Sequence, residues 1–191
     1  MSGRRLGALI AGAVALALAG CASSPVLLDE DDVPGAERVI QNARHAVAPG
    51  WTWCSDLNPA GYVGADLVGS WFSFGGDVQA GANIIDRSSD GLTAERIVER
   101  FEDDASLCAD AAAGTDVDGR SIEPLVGLDA GAVGWRTETG DGTWGELVLV
   151  PLDEWRLLAV GLSTDEDRAP VELDDLVRLA RQGAEQLPAD E

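Results

Sequence analysis

The stretch "WGELVLVPLDEWRLLAVGLST", residues 144–164, decides how this chain folds. Two apolar runs, 144–152 and 155–163, meet at a tight turn around Asp153, which predicts two neighbouring antiparallel strands. Upstream, "GAVGWRTET" (131–139) alternates Val133, Trp135, Thr137 and Thr139, and Gly140-Asp141-Gly142 makes the next turn. A weaker run, "RSIEPLV" (120–126), is interrupted by Pro124. These runs predict an antiparallel meander. Downstream lies the clearest helix, from Val171 to Leu187, stopped by Pro188. Leu173, Leu176, Val177, Ala180, Ala184 and Leu187 form its apolar stripe, while Glu172, Asp174, Asp175, Arg178, Arg181 and Gln182 face water.

The first half reads less sharply. "LVGSWFSF" (67–74) and "VQAGANIID" (78–86), with Gly75-Gly76-Asp77 between them, predict a hairpin. A helix is expected from Thr93 to Ala112, with Thr93 as N-cap and Leu92 and Ile97 as a hydrophobic staple. Ile97, Phe101, Ala105 and Cys108 share one face of it. Another helix is expected over 34–47, because Ala36, Val39, Ile40, Ala43 and Val47 fall on one helical face and Pro34 suits a first turn. The resulting order, α-β-β-α-β-β-β-α, predicts an α+β fold: a single antiparallel β-sheet packed against helices, with one disulfide.

The chain begins with Arg4-Arg5 and an apolar run from Leu6 to about Ala19. A membrane-spanning helix needs about 20 apolar residues, so the run suits the core of an export signal instead. Leu18-Ala19-Gly20-Cys21 resembles the lipobox of bacterial lipoproteins. That resemblance implies a signal peptide over 1–20, cleavage before Cys21, and acylation of Cys21 with diacylglycerol. Acyl chains worth about 0.8 kcal/mol per buried CH₂ then hold the chain at a bilayer. A plain secretory signal with an incidental Cys21 is the competing reading. The arginine pair also resembles the start of a twin-arginine export signal, without the rest of that motif. Residues 21–33 are expected to be the acylated cysteine and an acidic tether, and 34–188 a single domain.

After cleavage about 170 residues remain, enough for one domain. All 13 basic residues are Arg. Without Arg4 and Arg5, 11 Arg stand against 34 Asp and Glu, a net charge of −23. That balance excludes nucleic acid as a partner, since such binding draws on basic contacts to phosphate. It also argues against docking of the protein surface on anionic headgroups, and favours cationic partners. The bias toward Arg, Ala, Gly and Asp suggests a GC-rich genome, as in the actinobacteria. An exported chain meets oxidising conditions, so the remaining pair, Cys54 and Cys108, reads as a disulfide. The rival reading is a reactive thiol, for which no His or basic cluster stands nearby in sequence.

The segment 70–187 resembles the extracellular sensor domain of actinobacterial receptor Ser/Thr kinases, and the free envelope lipoproteins that share it. The resemblance is carried by "DVQAGANIID", by "AERIVERFEDDASLCADA" with its inward cysteine, and by residues 144–164 leading into "ELDDLVRLARQGAEQL". In layout the chain is also similar to PsbP-like lipoproteins. The kinase-sensor family implies extracellular binding of a ligand or partner in a cleft, with no catalytic residues to carry over.

Little in the chain signals chemistry. His45 is the only histidine and lies off the apolar stripe expected for its helix; no G-x-S-x-G elbow presents a serine to it. One His and two bridged Cys do not make a zinc site. Asp116 and Asp118 in "TDVDG", and Asp165 and Asp167 in "TDED", offer oxygen ligands for calcium but match no full loop, and read as solvated turns. The glycines of "GLDAGAVG" do not fit a dinucleotide fingerprint. Trp71, Trp135, Trp144 and Trp155 are expected in the core. Trp51 and Trp53, beside Cys54, are candidates for ligand stacking. The expectation is thus a lipid-anchored, non-catalytic envelope protein on the outer membrane face, needing no metal or cofactor, that binds a small or lipidic ligand or an envelope protein. A structural interaction module is the alternative, and an envelope hydrolase a third class. An apolar cleft favours the first and a flat apolar patch the second. A carboxylate with a raised pKa inside a cleft favours the third.

Overall fold

The computed structural model describes residues 26–41, 54, 68–76, 78–114, 119–166 and 169–187. The strands are β1 (Arg38–Gln41), β2 (Gly69–Ser73), β3 (Gln79–Asp86), β4 (Ser121–Pro124), β5 (Val133–Glu138), β6 (Trp144–Pro151) and β7 (Arg156–Thr164); the helices are α1 (Ala94–Gly114) and α2 (Leu173–Gln186). One antiparallel sheet orders the strands β1-β2-β3-β7-β6-β5-β4. The fold is α+β, as expected.

The stretch 144–164 builds the centre of the sheet. Pro151 pairs with Leu157 across the turn, and the ladder runs out to Trp144 opposite Thr164. Both faces of these strands are covered, so their apolar runs are continuous rather than alternating. Leu147, Leu149, Leu157 and Ala159 pack with Ile97 and Phe101 of α1. Val148, Val150, Leu158, Val160 and Leu162 pack with Leu176 and Ala180 of α2 on the opposite face. Each fully buried Leu or Val contributes about 1.5–3 kcal/mol. Thr93 Oγ1 accepts the Arg96 N–H at 3.3 Å, which is the expected N-cap of α1. Gly75 and Gly76, with φ of 93° and 56°, turn β2 into β3 in a conformation open to glycine.

Two expectations are corrected. Residues 38–41 form a strand, not part of a helix, and pair with β2 from Arg38 opposite Ser73 to Gln41 opposite Ser70. On a helix Val39 and Ile40 would share a stripe; on a strand they face opposite sides. Val39 packs toward the α2 side, and Ile40 lies opposite Trp71. Pairing with the free edge of β2 satisfies backbone groups there. Residues 34–37 of that expected helix lie in turn, bend and irregular chain, and 42–47, including His45, lie outside the described residues.

The second correction concerns the tether. Leu27, Leu28 and Val33 are each only 1% exposed and belong to the α2-side core. Ser70 Oγ accepts the Leu28 N–H at 3.1 Å and donates to the Leu28 carbonyl at 2.9 Å. The segment passes against α2 so closely that a Cβ at Gly183 would lie 2.0 Å from the Leu27 carbonyl oxygen. The acidic residues Asp29 and Asp31 stay exposed while the leucines beside them strap the domain.

Candidate functional site

A cleft of about 510 Å³ opens between α2 and the sheet, within the usual range for small-ligand pockets. Val148 and Val150 of β6 form its floor. Asp174, Val177, Arg178, Arg181, Gln182 and Glu185 of α2 form one wall, and Gly127, Leu128, Asp129 and Ala132 of the β4–β5 loop the other. The loop turns at Gly127 and Gly131, with φ of 82° and 84°. Across the mouth, Arg181 Nη1 lies 3.2 Å from Asp129 Oδ2. Asp129 is 75% exposed, so this pair is worth well under 1 kcal/mol and can exchange for a ligand's charge. Arg178 is paired along the helix with Asp175 at 2.9 Å. The cleft therefore offers an apolar floor with a guanidinium at its rim, an arrangement for an amphiphilic molecule.

Four α2 residues expected to face water, Asp174, Arg178, Arg181 and Gln182, line this cleft. The helical period separates apolar from polar faces; it carries no sign of the loop 52 residues away that rises over the polar one. Nothing in the sequence around Asp129 or Val177 marks them as lining residues either.

Cys54 and Cys108 are bonded, with Cα atoms 6.2 Å apart, inside the usual span of a disulfide. Cys108 sits on the inner face of α1 beside Ala105, so the bridge ties α1 to the chain around residue 54. Cys21, Trp51 and Trp53 lie outside the described residues, as do Asp116, Asp118 and Asp167, while Asp165 is exposed. Among the described residues no group of three or more His, Cys, Asp or Glu could hold a metal. No helix among them is long and apolar enough to cross a membrane.

The tryptophans divide. Trp135 is buried and stacks near Phe101, with ring centroids 6.4 Å apart. Trp144 is half-buried: the Arg136 guanidinium lies 4.1 Å from its ring centre, and its Nε1 donates to the Glu166 carbonyl at 2.9 Å. Trp71 is also half-buried, and Trp155, expected on a strand in the core, is 36% exposed in the β6–β7 turn. Asp153 Oδ1 accepts the backbone N–H groups of Trp155 and Arg156 in this turn, and the Trp155 indole stays outside.

Among the described residues the displaced carboxyl titrations lie away from the cleft lining, and both run downward. Asp141 is lowered by hydrogen bonds from Thr139 and Thr143. Asp153 is raised by burial, but a stronger combined pull from Arg156 and the backbone N–H groups of Trp155 and Arg156 leaves it lowered. A lowered carboxylate stabilises the fold above its unfolded pKa, near 3.9, and loses that contribution as pH falls through the folded value. Asp153→Asn is therefore expected to destabilise at pH 7 by under about 1 kcal/mol, since the side chain is 40% exposed. Thermal melts at pH 7 and in strong acid check this; an equal gap from wild type at both contradicts it.

Comparison with known proteins gives no match, either to a family model or to an individual curated protein.

Proposed function

We propose that this chain is a lipid-anchored envelope protein, held at the extracytoplasmic face of the cell membrane through Cys21, whose domain binds an amphiphilic small molecule without catalysis. The binding reading is carried by the cleft between α2 and the sheet: Val148, Val150 and Val177 receive an apolar part, and Arg181 a negative group in exchange for Asp129. The sensor-like resemblance of 70–187 agrees with such a role. The anchoring reading rests on Leu18-Ala19-Gly20-Cys21.

The buried strap supports a definite placement. Five residues separate Cys21 from Leu27, and six peptide steps extend no further than about 20 Å. Leu27 lies against Gly183, on the helix that walls the cleft. An acylated Cys21 thus keeps the cleft near the bilayer, while the net charge of −23 keeps the protein surface from settling onto anionic headgroups.

Native mass spectrometry of the chain purified from its own host's membranes tests the binding. A co-purifying adduct of defined mass is expected, lost when Val177→Trp fills the cleft. A bare chain, or an adduct that survives Val177→Trp, overturns the assignment to this cleft.

A further inference from the structure

The wall of the cleft between α2 and the sheet carries more charge than an anionic ligand alone would use. Asp174, Arg178, Arg181 and Glu185 follow one another on α2 at helical spacing, and all four line the cleft. Opposite charges at such spacings ordinarily pair along a helix. Here they do not pair with each other. Arg178 turns to Asp175 at 2.9 Å, and Arg181 turns across the mouth to Asp129 at 3.2 Å. Among the described residues no cation is paired with Asp174 or Glu185.

Arg181 therefore stands between two carboxylates: Asp129 across the mouth, and Glu185 one helical turn, about 6 Å, along the axis. The charge balance chooses between ligands. A purely anionic group that takes Arg181 from Asp129 makes one charge pair and breaks another. It also brings a negative charge close to Asp129 and Glu185, on a chain already strongly acidic. A ligand with an ammonium beside its anionic group meets neither difficulty, because Asp129 and Glu185 take the ammonium as Arg181 takes the anion. The three N–H donors of an ammonium can serve both carboxylates, and the fork of a guanidinium can hold two oxygens of one phosphate. Such a ligand is neutral as a whole, so the acidic surface does not repel it at long range.

We propose that the amphiphile of this cleft is zwitterionic: a single-chain lipid with a phosphoethanolamine headgroup, whose phosphate is bound by Arg181 and whose ammonium is bound by Asp129 and Glu185. Its chain lies along Val148, Val150 and Val177. The cleft, at about 510 Å³, is of the size that encloses a drug-sized molecule, such as one short chain with its headgroup. This inference rests on the cleft being the binding site, and adds to that reading the class of ligand and the residues that select it.

The test is a competition read by native mass spectrometry. The full chain purified from its host's membranes, in a non-ionic detergent, is mixed with equal amounts of lauroyl lysophosphatidylethanolamine and lauroyl lysophosphatidylglycerol. The two probes share chain and phosphate, and only the first carries an ammonium. The ethanolamine adduct is expected to exceed the glycerol adduct by roughly fivefold, the factor that one exposed charge pair supplies. Both adducts should vanish in Val177→Trp. The double variant Asp129→Asn, Glu185→Gln should bring the two adducts close to equality, because the ammonium then has no carboxylate to meet. If both probes bind in the cleft equally, or the glycerol probe binds more tightly, the zwitterion assignment is overturned while the cleft stands as a site. A preference undiminished in the double variant overturns it too. If neither probe binds, the assignment also falls; a co-purifying adduct that Val177→Trp removes then still marks the cleft as a site. Adducts of both probes that survive Val177→Trp overturn the cleft and the assignment together.

Discussion

Replacing Cys108 by alanine is expected to lower the stability of the domain by about 4 kcal/mol, the chain-entropy value for a loop of this length. The bridge spans 54 positions, from Cys54 to the inner face of α1. Both ends are shielded, Cys54 at 3% and Cys108 at 8% exposure, so the bond is shut away from solvent thiols. For a domain of this size the loss corresponds to a melting temperature lower by roughly 10 °C. Cys54→Ala should give a similar loss, and the double variant little more, because either single change removes the same link. Reduction of the unfolded wild type before refolding should mimic all three. Additive losses, or no loss, in thermal melts would show that the bridge does not constrain the chain as described.

The second large effect is expected at Gly183. Gly to Ala inside a helix ordinarily gains up to about 1 kcal/mol. Here the sign should reverse, because the new Cβ would lie 2.0 Å from the Leu27 carbonyl oxygen and 2.9 Å from its carbon. These are backbone atoms, so the strap must move as a whole. Displacing Leu27 and Leu28 forfeits the burial of two leucines at about 1.5–3 kcal/mol each. A net loss on the order of 3 kcal/mol is expected, together with the two paired contacts of Ser70 Oγ to Leu28. Limited proteolysis should then cut within 26–33 in Gly183→Ala but not in wild type. A neutral or stabilised Gly183→Ala would mean that the strap does not lie where Leu27 is placed.

What could be read from residues alone follows from the range of the forces involved. The strands of 131–164 are legible because long apolar runs and tight turns are local signals. The same holds for α1, whose stripe of Ile97, Phe101, Ala105 and Cys108 is buried as its period requires. The misreading at 38–41 is a competition between periods. Val39 and Ile40 satisfy a helical stripe and an edge strand equally, and only β2, some 30 residues on, decides. The strap was hidden by its acidic neighbours; what makes Leu27 and Leu28 core residues is contact with Ser70 and Gly183, far along the chain. The cleft was hidden for a similar reason. Arg181 reads as solvent-facing on its helix, and its meeting with Asp129 depends on where the β4–β5 loop comes to rest.

The proposed anchoring of this domain at a membrane is tested most directly by the intact mass of the protein extracted from its host's membranes, measured without reduction. The expected mass is that of a chain running from Cys21 to Glu191, carrying a diacylglyceryl group on Cys21 and lacking the hydrogens lost in the Cys54–Cys108 bridge. A chain that retains its first 20 residues, or one cut elsewhere and bearing no lipid, would contradict it.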